Sequence, residues 1–171
     1  MMKSGFTLVE LVVTIIIISI LGTFAFSRFA GNTGFSEVTF QERLVSALRN
    51  IQQRAMQDTR TATIYQFNFS TSPPAFGPST DLSGSTTISF DVNEDFLSTD
   101  GFDEISGENV NLVLSDQSSS FTSIRFNSLG VPLTLNGASV VGQCANGCQI
   151  DFVGEQVASV CIESQGYIRK C

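Results

Sequence analysis

The sequence predicts an α+β fold, a long N-terminal α-helix packed on a head of antiparallel β-strands. Three observations carry it. From Phe6 to Ser27 the chain is almost wholly apolar, enough for the roughly 20 residues that a helix needs to cross a bilayer. From Glu37 to Asp58 apolar residues recur at helical spacing, as in an amphipathic helix. Beyond that point short alternating segments follow, broken by Gly, Pro and hydroxyl-rich stretches, as strands and turns are. Strands following a helical segment make an α+β pattern.

The apolar run holds one acid, Glu10, behind a short leader, Met1-Met2-Lys3-Ser4-Gly5, with a single positive side chain. A carboxylate in such a run costs about 2.5 to 3.5 kcal/mol at mid-bilayer and less near an interface. Three readings fit the stretch. It can be a membrane anchor with an interfacial acid. It can be a secretory signal cut after the small residues Ala25-Phe26-Ser27, although the run is long for a signal core. The third reading comes from a family resemblance, which implies a retained helix whose acid is paired by a partner; buried charge is tolerated when paired.

Behind the run, Gly31 and Gly34 predict a break or kink. Ser36 is the expected N-cap of a second helical stretch, with Glu37 in its first turn. Val38, Leu44, Val45, Leu48, Ile51, Ala55 and Met56 form its apolar stripe, while Arg43, Arg49, Gln52 and Arg54 fall largely off it. Unbroken, residues 6–58 would make roughly 80 Å of helix. In the head, strands are expected over 61–69, 86–92, 110–114, 121–126, 131–135, 149–153, 157–162 and 167–170. The proline- and glycine-bearing stretch 70–85 reads as a loop, and 93–109 as acidic and turn-rich. No internal repeat is evident.

Composition narrows the function. Nine Lys and Arg against 16 Asp and Glu give a formal net charge of −7, which argues against general binding to nucleic acid or anionic lipid. There is no histidine, so His-dependent triads and His-ligated metal sites are excluded. Neither a nucleophile with its base nor a phosphate loop of the GxxxxGK kind is present, so no catalytic residue and no cofactor is expected. The four cysteines, Cys144, Cys148, Cys161 and Cys171, suggest disulfides in an oxidising compartment. Four thiolates could instead bind zinc, but Cys144-x3-Cys148 lacks the tight CxxC knuckle and the pairs are far apart.

Gly5-Phe6-Thr7-Leu8-Val9-Glu10 resembles the processing motif of the type IV pilin and type II secretion pseudopilin family. The resemblance implies that prepilin peptidase cuts after Gly5 and N-methylates Phe6, and that the apolar helix is retained. Glu10 would pair with the N-terminal amine of a neighbouring subunit during assembly. It divides the chain into a leader over 1–5, a transmembrane and assembly helix over 6–29, an amphipathic half over 30–60 and a β-rich head over 61–171. One departure is Gly22 with no proline inside the apolar half, where many major pilins carry one.

Phe121-Thr-Ser-Ile-Arg-Phe-Asn-Ser-Leu-Gly130 and Val160-Cys-Ile-Glu-Ser-Gln-Gly-Tyr-Ile-Arg169 look like the minor pilins and pseudopilins related to pseudopilin H. The overall look is nearest to a minor pilin of the mannose-sensitive haemagglutinin pilus. The implied function is a structural subunit that initiates or builds an envelope-spanning pilus. The alternative is a minor pseudopilin of type II secretion. The implied partners are other pilin subunits, prepilin peptidase, the inner-membrane assembly platform and the inner membrane. The implied location is the inner membrane before assembly and the pilus or cell surface afterwards.

Three finer expectations complete the reading. A two-residue turn at Gly154-Glu155 would set Cys148 opposite Cys161, leaving Cys144 for Cys171; this is the favoured one of three connectivities. Asp91-x-Asn93-x-Asp95 opens like an EF-hand, but Phe96 and Phe102 stand where glycine and glutamate are needed. The stretch is therefore read as a solvated acidic loop with no metal, a looser calcium site being the alternative implied by the major secretion pseudopilins. Some competence minor pilins bind DNA through a C-terminal Gly-x-x-Arg strand; here only Arg169 and Lys170 are basic, too few for a phosphate surface.

Overall fold

The computed structural model describes residues 7–29, 35–60, 63–90, 97–116 and 119–171, with backbone alone for 23–29. The chain divides into two compact units, Met1–Thr33 and Gly34–Cys171.

The first unit contains helix α1, Leu8–Phe29. Thr7 stands at its start, its Oγ1 accepting from the Glu10 amide at 3.3 Å, the bond by which a threonine caps a helix. Among the described residues no helix is long and apolar enough to cross a membrane.

The second unit packs one amphipathic helix, α2 (Phe35–Gln57), on two antiparallel sheets. The first sheet has the order β2-β1-β4-β5-β6, with β1 Tyr65–Thr71, β2 Pro74–Pro78, β4 Ser123–Phe126, β5 Pro132–Asn136 and β6 Ser139–Gly142. The second has the order β3-β7-β8-β9, with β3 Asn111–Ser115, β7 Cys148–Val153, β8 Val157–Ile162 and β9 Ile168–Lys170. A single turn of helix, α3 (Glu104–Gly107), precedes β3. This is the predicted α+β class, a helix on an antiparallel sheet.

Leu44, Val45, Leu48, Ile51 and Ala55 are buried on α2 as the spacing requires, and Phe40 and Ala47 join them. Val38 and Met56, assigned to the stripe from sequence, lie at its margins and are exposed. Ser36 is not the N-cap, because α2 already begins at Phe35; its hydroxyl donates to Glu108 Oε2 at 2.9 Å. The break predicted at Gly31–Gly34 lies outside the described residues.

A run of aromatic rings ties helix and sheets together. Phe40 on α2 stacks on Phe152 of β7 at 5.9 Å, and Phe152 meets Phe76 of β2 edge-on at 5.9 Å. Phe76 stacks in turn on Phe67 of β1 at 6.1 Å. Such pairs add about 0.5 to 1.5 kcal/mol each beyond their buried area, and here they join three layers.

The 70–85 stretch is not all loop. Pro74–Pro78 pairs with β1 from Phe67↔Pro78 to Thr71↔Pro74. Prolines are tolerated because β2 is an edge strand, where a missing N–H costs no ladder bond. The expected strand over 86–92 reduces, among its described residues, to an isolated bridge between Ser79 and Ile88. Residues 79–88 instead cross the outer face of β1, held there by buried amides. Asn68 Nδ2 donates to the carbonyls of Ser85 and Thr87, both at 2.9 Å, and Gln66 Nε2 to that of Ser85 at 3.2 Å. β6 was not anticipated at all.

Candidate functional site

The residues singled out from sequence fall in three places. Gly5 and Phe6 lie outside the described residues. Glu10 is on the first turn of α1, exposed, among Leu8, Val9, Leu11, Val12 and Val13, which are exposed too. Thr14 and Ser19 turn their hydroxyls back onto the helix, donating to Leu11 O at 2.8 Å and Ile15 O at 2.7 Å. Their polar atoms are thereby satisfied locally, and the lateral surface over 8–21 is hydrocarbon apart from Glu10 and the backbone at its ends. Among the described residues no cation pairs with Glu10.

The cysteines form two bridges, Cys144–Cys148 and Cys161–Cys171. This corrects the expected 148–161 and 144–171 pairing, and the cause is one residue of turn length. The β7–β8 hairpin pairs Val153 with Val157 across three residues, 154–156, so Cys148 faces Ile162 and Cys161 faces Gln149. A shift of one residue sends side chains to opposite faces of a strand. Cys148 therefore points into the core, 1% exposed, while Cys161 lies on the outer face, half-buried. Cys161 meets Cys171 diagonally across β8 and β9, where it pairs with Arg169. Cys144 closes a short turn on Cys148.

The two C-terminal stretches that carry the subgroup resemblance meet at α2. Gln52 Nε2 donates to Gly130 O at 2.8 Å and to Gly166 O at 2.7 Å. Gly166 has φ +87°, and a Cβ there would overlap Gly130 O and stand 2.6 Å from Gln52 Nε2. Asn127 shapes the first turn, its Oδ1 accepting from the amides of Leu129 and Val131, both at 2.9 Å. The same flank of α2 reaches the second sheet. Gln41 donates to Ser159 O at 2.5 Å and Arg49 to Ile168 O at 2.6 Å. Glu37, buried, accepts from the Gln156 amide at 3.2 Å. The sequence marked Arg49 and Gln52 only as off-stripe polar positions. Their spacing beside the stripe, at 41, 49 and 52, was the available signal.

Electrostatics elsewhere is local. Asp58, just past α2, accepts from Arg60 Nε at 3.0 Å and Nη2 at 2.7 Å, from the Arg60 amide at 2.9 Å and from Tyr65 OH at 2.8 Å. The Arg60 guanidinium holds its carboxyl far below the usual range, and the same pairing raises Arg60. In the acidic stretch, Asp91, Glu94 and Asp95 lie outside the described residues. Glu104 pairs with Arg43 at 2.6 Å and accepts from the Asp100 amide at 2.5 Å. Arg169 pairs with Glu163 at 3.2 Å, and Lys170 with Glu42.

The first 26 residues match the family model for the prokaryotic N-terminal methylation motif. The match is confined to that N-terminal segment. Among solved structures, the chain is similar to the type IV minor pilin FimU of Pseudomonas aeruginosa strain PAO1. That match has a TM-score of 0.47 and 12% identity over 77% of this chain and 89% of that one. No curated protein matches.

Proposed function

We propose that this chain is a minor type IV pilin, a structural subunit that is cut after Gly5, methylated at Phe6 and built into an envelope-spanning fibre. One observation carries the reading: behind a methylation motif stands a helix whose described side chains are exposed hydrocarbon interrupted by a lone carboxylate. In lipid or in a fibre core that hydrocarbon is covered equally well, so bulk hydrophobicity does not direct docking. A single charge does. Glu10 neutralises the terminal amine of a neighbouring subunit and sets the register between helices. The minor-pilin assignment is supported by the joining of the Gly130 and Gly166 turns at Gln52, since these are the stretches that resemble that subgroup.

The test is Glu10→Ala expressed in cells that make the fibre. Membrane insertion and removal of the leader should persist, read as the intact mass of a chain beginning at methylated Phe6. Incorporation into sheared fibres should be lost. Normal incorporation refutes the pairing, and a mature chain beginning near Arg28 refutes the retained helix.

A further inference from the structure

Asp116, Cys144 and Cys148 meet in the interior of the head, all three buried, with their donor atoms within 4.8 Å of one another. Asp116 directly follows β3, and Cys148 opens β7. The carboxylate is held by Thr134 of β5, whose hydroxyl donates to Oδ2 at 3.0 Å, and among the described residues no cationic side chain pairs with it. Gly142 is part of the fit, because a Cβ there would overlap Asp116 Oδ2 and stand 3.0 Å from Thr134 Oγ1. The sulfurs are brought together by backbone as well as by their bond. Cys144 has φ +50° and Gly147 φ +89°, and the Gly147 amide donates to Cys144 O at 2.8 Å.

We propose that Asp116, Cys144 and Cys148 form a redox-gated metal site: closed as the disulfide, and binding one zinc-class divalent cation when reduced. Two thiolates and a carboxylate suit a tetrahedral borderline-soft ion with a fourth position left for water. The Thr134 hydroxyl is the supporting bond that orients the carboxylate ligand. The disulfide sulfurs offer no thiolate, so the oxidised site has only one charged donor. Opening it takes two electrons and two protons from a dithiol reductant, which leaves as its own disulfide. Binding the ion then releases the two thiol protons. The site differs from the four-thiolate arrangement set aside from sequence, since Cys161 and Cys171 lie apart from it on the outer sheet face.

The experiment uses the full chain in detergent with Cys161→Ser and Cys171→Ser, so that Cys144 and Cys148 alone supply thiols. It is titrated with Co2+ before and after reduction by a phosphine. One equivalent should develop thiolate charge-transfer and tetrahedral visible bands after reduction only, and Zn2+ should bleach them. Asp116→Asn should weaken binding by at least about tenfold with unchanged far-UV circular dichroism. Should the parent variant not fold, the reciprocal Cys144→Ser/Cys148→Ser chain, which keeps Cys161–Cys171, must lose the bands that the reduced wild-type chain shows. Absent bands after reduction, bands without reduction, or full affinity in Asp116→Asn would each overturn the site.

Discussion

Gly166→Ala tests the junction of helix and C-terminal turn most directly. Its φ of +87° is a left-handed conformation, which costs a residue with a Cβ about 1 to 2 kcal/mol. The new Cβ would overlap Gly130 O and crowd Gln52 Nε2 at 2.6 Å. Both neighbours are backbone or already bonded, so the turn must move away. Moving it breaks the two Gln52 bonds, at 2.8 and 2.7 Å, worth about 0.5 to 1.5 kcal/mol each. The sum is about 2 to 5 kcal/mol. At about 3 to 4 °C per kcal/mol for a head of this size, the unfolding midpoint should fall by at least about 6 °C. The assay is near-UV circular dichroism of the detergent-solubilised chain with disulfides intact. Gln52→Ala alone should cost about 1 to 2.5 kcal/mol, a few tenths being recovered by helix propensity. Added to Gly166→Ala it should cost little more, because the bonds are already gone. A Gly166→Ala midpoint within about 2 °C of the parent, or additive losses in the double variant, would refute the clamp.

Other consequences follow from the same geometry. Gly154→Ala should destabilise by about 1 to 3 kcal/mol, because its Cβ would overlap Glu37 Oε1; urea denaturation measures it, and Glu37→Ala in the same chain should recover part. Asp58 has a folded-state pKa below its unfolded value of about 3.9, so its contribution is complete above about pH 5 and is lost as pH falls through the folded value. The midpoint gap between wild type and Asp58→Asn should therefore hold at neutral pH and shrink towards pH 2. Cleavage by a glutamyl endopeptidase without reduction should leave Cys161 and Cys171 on two linked peptides and Cys144 and Cys148 on one. A peptide joining Cys148 to Cys161 would contradict the hairpin register. Removing Cys161–Cys171 by double serine substitution should cost about 2 to 3 kcal/mol, as a loop of this length implies, read in the same denaturation series.

What the sequence revealed was whatever a single period encodes. The helix α2 shows in its stripe, and β8 was placed residue for residue at Val157–Ile162, because alternation and flanking turns agree there. Failures came where the deciding term is not periodic. β2 was hidden by its two terminal prolines, which only its edge position makes acceptable. β6 is four largely exposed residues, Ser-Val-Val-Gly, with no inward face to mark it. The division of the strands into two sheets depends on which rings meet, Phe76 with Phe152 above all, and no local window contains both.

The disulfides show how a small local choice decides a distant one. Whether the Gly154 turn holds two residues or three is a matter of one amide, that of Gly154, donating to Gln156 O at 3.0 Å. The three-residue turn is favoured by a contact from outside the hairpin, the buried Glu37 carboxylate receiving the Gln156 amide. Helix α2 thus helps to set the register of β7 on β8, and the register puts Cys148 on the inner face and Cys161 on the outer. Once they are on opposite faces the two cannot bond, so each takes the cysteine on its own side. A carboxylate near the start of the helix and the cysteine at the chain's end are in this way parts of one decision. Glu37→Ala should accordingly loosen the pairing choice during oxidative refolding, and scrambled bridges in that variant alone would mark Glu37 as the residue that sets it.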